Sequence, residues 1–357
     1  MLFTFIVYNS ILIFTIIWSV LVQKSKDNIS EYGFRTLLFI TQALPACVRK
    51  GIGTDYWNYK LLYDIYKHSQ DEHEIGFQMV GKLLNLFGAH SQFFISFLAI
   101  FSIAPICYYL PKRNFSYFII TYFFLVYLDI IGTSRQDISV AFIICGIIAL
   151  FHRHGNIKYL VTAFSAILFH YSSFLYFPLI FFKRIRVSYR FIIITLVTIF
   201  VLFSGVGIIE MIFNSSLFID SPYGVYIGSD YIREANVGSG LGVIANILIP
   251  ILFLIYFPRT SRYINHASFF AALAMMFIGS YLLASQIHIF GRLVNVFIFV
   301  PAFLSYSVSK GISTKYNQLI FLGFICMYLV LFEKSIIDNQ ISLGSGLGVS
   351  PFKTIWD

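Results

Sequence analysis

An all-α, polytopic integral membrane protein is the fold class this sequence predicts, and three observations carry the expectation. Hydrophobic residues make up 58% of the 357 positions and charged residues 11%, with a mean hydropathy of +0.80. The apolar residues fall in runs of up to about 20, the length that crosses a bilayer as a helix. Lysine and arginine gather in a subset of the short polar connections between those runs, as they do on the cytoplasmic side of membrane proteins.

The runs lie at roughly 2–22, 36–48, 91–110, 115–132, 137–152, 159–182, 190–213, 242–258, 267–285, 289–308 and 316–332. They predict about 11–12 transmembrane helices in a single membrane domain over residues 1–357. The first run has no basic residue before it and no small-residue cleavage site after it, so it is expected to be a retained helix. If the connections near 24–35, 112–113, 153–158, 183–190, 259–262 and 310–315 are cytoplasmic, they hold fifteen basic residues against Asp27 and Glu31. The rest of the chain holds ten basic and fourteen acidic residues. The net charge of +9 is thereby explained by topology, without nucleic acid as a partner.

That threading makes 159–182 start and end on the same side, although it is too short for two full crossings. A hairpin of two half-length helices turning near His170 resolves this; one long crossing, which would put Arg259 and Arg262 outside, is the alternative. Broken helices are tolerated at membrane depth only where they are buried in protein or line a cavity. Three pieces then fall outside: residues 49–90, with an interfacial helix expected at 76–90, the loop 214–241, and the tail 334–357. The four cysteines, Cys47, Cys107, Cys145 and Cys326, show no CxxC spacing and are expected to be packing residues, with neither disulfide nor zinc.

Ionisable residues in or beside membrane spans are functional candidates by default. Asp129, Arg135, Gln136 and Asp137 sit at the external end of a hairpin between two spans. His170, Ser172 and Ser173 sit at the proposed break, Arg292 and Glu210 near the external ends of later spans, and Asp55 and Glu74 in the external segment. Each has a plain structural reading as well. Arg135 with Asp137 suits a charged turn, His170 with its serines suits a helix cap, and Arg292 suits snorkelling to lipid phosphate. Tyr56, Tyr59, Tyr63 and Tyr66 repeat at helical spacing and read as an interfacial aromatic belt or as a sugar platform.

It is the shared side that points to chemistry. Arginines in a partly desolvated cavity bind pyrophosphate bidentately, a histidine or carboxylate serves as general base to a hydroxyl, and tyrosines stack on sugar rings. Together they suit glycosyl transfer from a polyprenyl-pyrophosphate sugar. No P-loop, GxGxxG, HExxH or GxSxG occurs, so nucleotide, metalloprotease and common serine hydrolase sites have no support.

The ordered set Arg49, "GTDYWNY" (53–59), "EIGF" (74–77), "SRQD" (134–137), "LFHYSS" (168–173), "FGRL" (290–293) and "GVSPFK" (348–353) resembles the EpsG branch of the Wzy-type polysaccharide polymerases. The resemblance runs through the whole chain, with Phe352 where tyrosine is common. It implies a GT-C-like fold in the bacterial inner membrane, with the active site facing the periplasm or exterior. It also implies metal-independent polymerisation of undecaprenyl-pyrophosphate-linked repeats for O-antigen, capsule or exopolysaccharide, with no cofactor. Partners would be membrane lipid, a flippase and a chain-length regulator. On this reading Arg135, His170, Asp55 and Arg292 are catalytic, while Arg49, Tyr56, Tyr59, Glu74, Gln136 and Ser172 bind substrate. A flippase or other transporter of the same lipid-linked sugar, an O-antigen ligase and a membrane O-acyltransferase are the rival readings.

Overall fold

A computed structural model of the chain describes residues 2–66, 74–204, 215–220, 240–285, 290–337 and 346–357. Among these residues the fold is helical, and the β-type pairing is an isolated bridge between Arg49 and Thr354. Five helices are long and apolar enough to cross a membrane, or up to seven if each of two bent pairs is one span. The expected 11–12 is a larger number for two reasons. It includes shorter apolar helices such as Gly155–Phe169, and it divides the 36-residue helix Phe115–Leu150 in two.

The chain forms two compact units, Met1–Ile180 with Phe321–Asp357, and Phe181–Ile320. The second contains Tyr189–Ser204, Leu241–Ile255 followed by a 78° bend, Ala267–Ala284, and Gly291–Phe297 bent by 57° against Val300–Ile312. Glu210 and most of the expected external loop 214–241 lie outside the described residues, as does part of the tail.

The first unit positions the candidate residues. Helix α1 (Leu2–Lys24) buries Thr4, Tyr8, Ile11, Thr15, Ser19 and Val22 along one stripe and leaves Phe3, Ile6, Ile13 and Phe14 exposed, as a lipid-facing helix does. Helix α2 (Asn28–Val48) starts where the Asp27 carboxylate accepts from the Ser30 N–H at 2.8 Å, a cap for an otherwise orphaned donor. Near that end, buried Arg35 donates to the carbonyls of Cys107 (2.7 Å) and Leu110 (2.9 Å), which close helix α5 (Ser91–Tyr109). At the other end of α2, Arg49 reaches Ser134. These 21 residues span about 31 Å, with the basic connections 24–35 and 112–113 at the Arg35 end.

Helix α6 (Phe115–Leu150) contains one residue outside helical geometry, Thr133 (φ −127°, ψ 35°). Its two limbs run opposite ways. Arg35 stacks on Phe115 at 4.6 Å while Arg49 meets Ser134, so the first limb follows α2. In the second limb Cys145 returns to the Pro105 carbonyl, two residues from the Arg35 contact at Cys107. The expected hairpin is therefore turned within a single residue. Arg135, Gln136 and Asp137 open the second limb as helical residues; the polar turn expected between 132 and 137 is absent.

Helix α7 (Gly155–Phe169) packs back along that limb, Ser139 donating to the Ala166 carbonyl. It breaks at His170, which is extended (φ −157°, ψ 118°). A 3-10 turn, Tyr171–Tyr176, then folds back until Tyr159 donates to the Tyr176 carbonyl. Two half-length pieces meeting at His170 are thus present.

Candidate functional site

Residues 49–66 and 74–86 fold over the tip of the α6 hairpin and include two short helices, α3 (Tyr56–Ile65) and α4 (Ile75–Leu86). Gly53 makes the approach feasible. Its φ of +96° suits glycine, and a Cβ there would lie 2.2 Å from the Ile131 carbonyl oxygen. With the loop seated, the Asp55 N–H donates to the Gly132 carbonyl at 3.3 Å, capturing an acceptor freed where the first limb ends. Gly76 is needed for a second approach, since a Cβ would meet the Leu168 carbonyl at 2.7 Å. That contact brings the start of α4 against the end of α7, and with it Glu74 against His170.

Below the loop, Tyr59, Leu62, Tyr63 and Tyr66 pack with Phe77, Phe94, Leu98, Ile138 and Phe169 in one apolar cluster. All four expected platform tyrosines, Tyr56 included, are buried. This corrects the belt reading: Tyr63 donates to the Ala89 carbonyl and Tyr56 to Gln92, inside the protein. The spacing that suggested an interfacial face is that of a core face. The outward aromatic of α3 is Trp57, 62% exposed, and α4 turns Ile75, Met79, Leu83 and Leu86 outward.

Glu74 is the junction of the site. Its Oε2 accepts from Arg135 Nη1 at 2.9 Å and its Oε1 from His170 Nδ1 at 3.3 Å. Burial would raise its carboxyl, but the His170 hydrogen bond and the Arg135 charge outweigh that and hold it down at about 2. The Arg135 guanidinium also lies over the rings of Phe77 (5.0 Å) and Tyr59 (5.7 Å), which fixes its plane. One-fifth of its side chain stays accessible. The Tyr59 hydroxyl accepts from the Arg135 backbone N–H at 3.4 Å and donates to Asp55 Oδ2 at 3.1 Å. Burial raises that phenol above its ordinary range, so it remains a donor. Asp55, Tyr59, Arg135, Glu74 and His170 are therefore one connected polar chain.

Two polar atoms beside this chain lack a protein partner: His170 Nε2 and Ser172 Oγ, both buried. An ionised carboxylate only accepts, so the Glu74 contact puts a proton on His170 Nδ1, and in the neutral imidazole that leaves the lone pair on Nε2. The imidazole is thus oriented with Nε2 enclosed and without a protein partner.

Arg49 was expected to touch substrate. It is instead fully buried, donating to the Ala46 carbonyl at 2.6 Å and to Ser134 Oγ at 3.2 Å. Its place is beneath the hairpin tip. Tyr56 and Tyr59 are likewise enclosed, so neither presents a ring face to a ligand. Gln136 is buried in the first turn of the second limb. Arg292 belongs to the second unit, where it opens Gly291–Phe297.

Gln92 was missed. It accepts from Tyr56 and donates to the carbonyls of Cys47 (2.6 Å) and Arg49 (3.1 Å), tying α3 to the end of α2. Its signal in the sequence is a lone amide in the first turn of an apolar run. Among the described residues, no group of three or more His, Cys, Asp or Glu could hold a metal ion.

Comparison with known families gives one match, the EpsG family, over residues 32–354, which takes in every residue named above from Arg49 to Arg292. No curated protein and no solved structure matches the chain.

Proposed function

Because the chain belongs to the EpsG family of polymerase-like exopolysaccharide membrane proteins, we propose that it joins polyprenyl-pyrophosphate-linked oligosaccharide repeats by glycosyl transfer. The carrying observation is Glu74, which holds Arg135 on one oxygen and His170 on the other while His170 Nε2 is left without a partner.

The acceptor sugar hydroxyl donates its proton to His170 Nε2 as its oxygen attacks the anomeric carbon of the donor. A new glycosidic C–O bond forms, and the bond from that carbon to the pyrophosphate oxygen breaks, its electron pair leaving with the pyrophosphate. Arg135, aimed by Phe77, Tyr59 and Glu74, meets the charge that develops there. Glu74 stabilises the imidazolium formed in the step, and Ser172 Oγ offers a further hydrogen bond to the sugar. Asp55 and Tyr59 position the Arg135 end of the second limb, and Arg49 fixes the hairpin tip beneath it. No metal or cofactor enters this scheme.

The site lies at the end of α2 remote from the basic connections 24–35 and 112–113. By the positive-inside rule this supports an external, periplasm-facing site in the bacterial inner membrane. A flippase to deliver the repeats and a chain-length regulator are the partners such a reaction calls for. Its products would be O-antigen, capsule or exopolysaccharide.

The test is complementation of a deletion strain with Arg135→Ala and His170→Ala variants that accumulate normally. The expected phenotype is surface glycan one repeat long. Loss of an arginine that meets leaving-group charge costs on the order of 2.7–4 kcal/mol, or 10²–10³ in rate. Full-length polymer from both variants refutes the assignment. Absence of surface glycan in the deletion strain would indicate a flippase, and long unligated polymer would indicate a ligase.

A further inference from the structure

Residues 346–357 lie, within the first unit, where the 49–55 loop meets the α6 hairpin. Tyr8 donates to the Val349 carbonyl at 2.9 Å, and the Phe352 N–H donates to Thr4 Oγ1 at 3.0 Å. The Phe352 ring packs edge-on against Tyr8, with centroids 5.6 Å apart. From this anchorage on α1 the segment pairs with the loop. Gly53 N–H donates to the Gly348 carbonyl (2.9 Å), Lys50 N–H to Lys353 (3.0 Å) and Ile355 N–H to Val48 (2.8 Å). Leu347 lies against Gly132 at the hairpin tip.

The loop is therefore held between two surfaces. Gly348 closes over Gly53 on one side, and the Ile131 and Gly132 carbonyls support Gly53 and Asp55 on the other. Asp55 leads through Tyr59 to the Arg135 backbone. None of the residues in the Tyr59–Phe169 apolar cluster comes from 346–357. The segment thus touches the loop that carries Asp55 without forming the core that holds Glu74 and His170.

We propose that residues 346–357 are a positioning strap for the Asp55 end of the site, and that Phe352 is the positioning residue that seats it on α1. The proposal rests on the polymerase reading for its effect on product, and on geometry alone for its effect on the loop.

The two parts are separated by measuring amide hydrogen exchange and polymer length on the full chain in membranes. Phe352→Ala should speed exchange of the 50–56 amides by about tenfold or more, leaving α5 unchanged. It should also shorten the polymer, with Phe352→Tyr restoring both. Because the strap acts through Asp55, adding Phe352→Ala to Asp55→Asn should shorten the polymer no further, whereas a general loss of stability would add to it. Unchanged exchange at 50–56 overturns the strap. So does faster exchange with full-length polymer, or an additive double variant. A parallel His170→Ala chain that still polymerises fully refutes the polymerase reading instead, and the exchange result then decides whether 346–357 hold the loop.

Discussion

Glu74→Gln is the substitution that separates a wired site from a coincidental one. Glutamine has nearly the same shape but offers one carbonyl oxygen and one NH₂ where glutamate offers two acceptors. Both neighbours of Glu74 are donors: Arg135 Nη1 at 2.9 Å and His170 Nδ1 at 3.3 Å. If the new NH₂ faces Arg135, two donors oppose each other and the guanidinium swings away. If it faces His170, it selects the tautomer protonated on Nε2, and the base is lost. Either way one of the two groups assigned to the proposed transfer is disabled.

The carboxyl is held at about 2 against an ordinary 4.5, a preference for the ionised form of about 3 kcal/mol. Its folded-state value is depressed, so this stabilisation is complete above pH 4.5 and is lost as pH falls through about 2. The difference in thermal midpoint between wild type and Glu74→Gln should therefore be flat at neutral pH and close only under strong acid. Polymer formation should fall on the order of 100-fold, the value of a positioned general base. Polymer length and rate equal to wild type at pH 7, in a variant of equal abundance, would refute the coupling of Arg135 and His170 through Glu74.

Three further outcomes follow from the same contacts. Arg135→Lys should not restore activity, because a lysine ammonium cannot lie flat over Phe77 or grip pyrophosphate with two parallel donors; gel analysis of the glycan reads this. Gly53→Ala should fail to accumulate in membranes, since its Cβ would collide with the Ile131 carbonyl at 2.2 Å in a backbone conformation at φ +96°. Asp137→Asn should leave the thermal midpoint in detergent unchanged or raise it. The buried Oδ2 of Asp137 has no partner to lose, and the amide removes one of two neighbouring, mutually repelling carboxyl groups, Asp129 and Asp137.

The helical class and the order of the spans were legible because lipid leaves little choice: apolar runs of this length become helices. The break at His170 was legible too, from the length of 159–182 against the charge of its flanks. The turn at Thr133 was not, because polar residues 134–137 look like a loop when they are the first turn of a helix. The tyrosines of α3 show a deeper limit. Period marks a shared face, but whether lipid headgroups or Phe77 and Phe94 cover it depends on α4 and α5. Glu74, Arg135 and His170 were each identifiable as polar groups needing a reason. Their junction was not, since Glu74 lies 61 and 96 positions from its partners. Only the close approaches at Gly53 and Gly76 bring them together.

The pairing of Gly53 with Gly348 also sets a timetable. About 300 residues separate the two, so at roughly 5–20 residues per second the loop waits on the order of 15–60 s during synthesis for its second wall. Within that interval the hairpin Phe115–Leu150 is completed first, and from then until Gly348 is made the Asp55 loop has a wall on one side. Contacts of such long sequence separation are among the last to form. A nascent chain therefore holds the Asp55 loop half-enclosed until the final stretch arrives, and completion of this part of the fold is timed by translation.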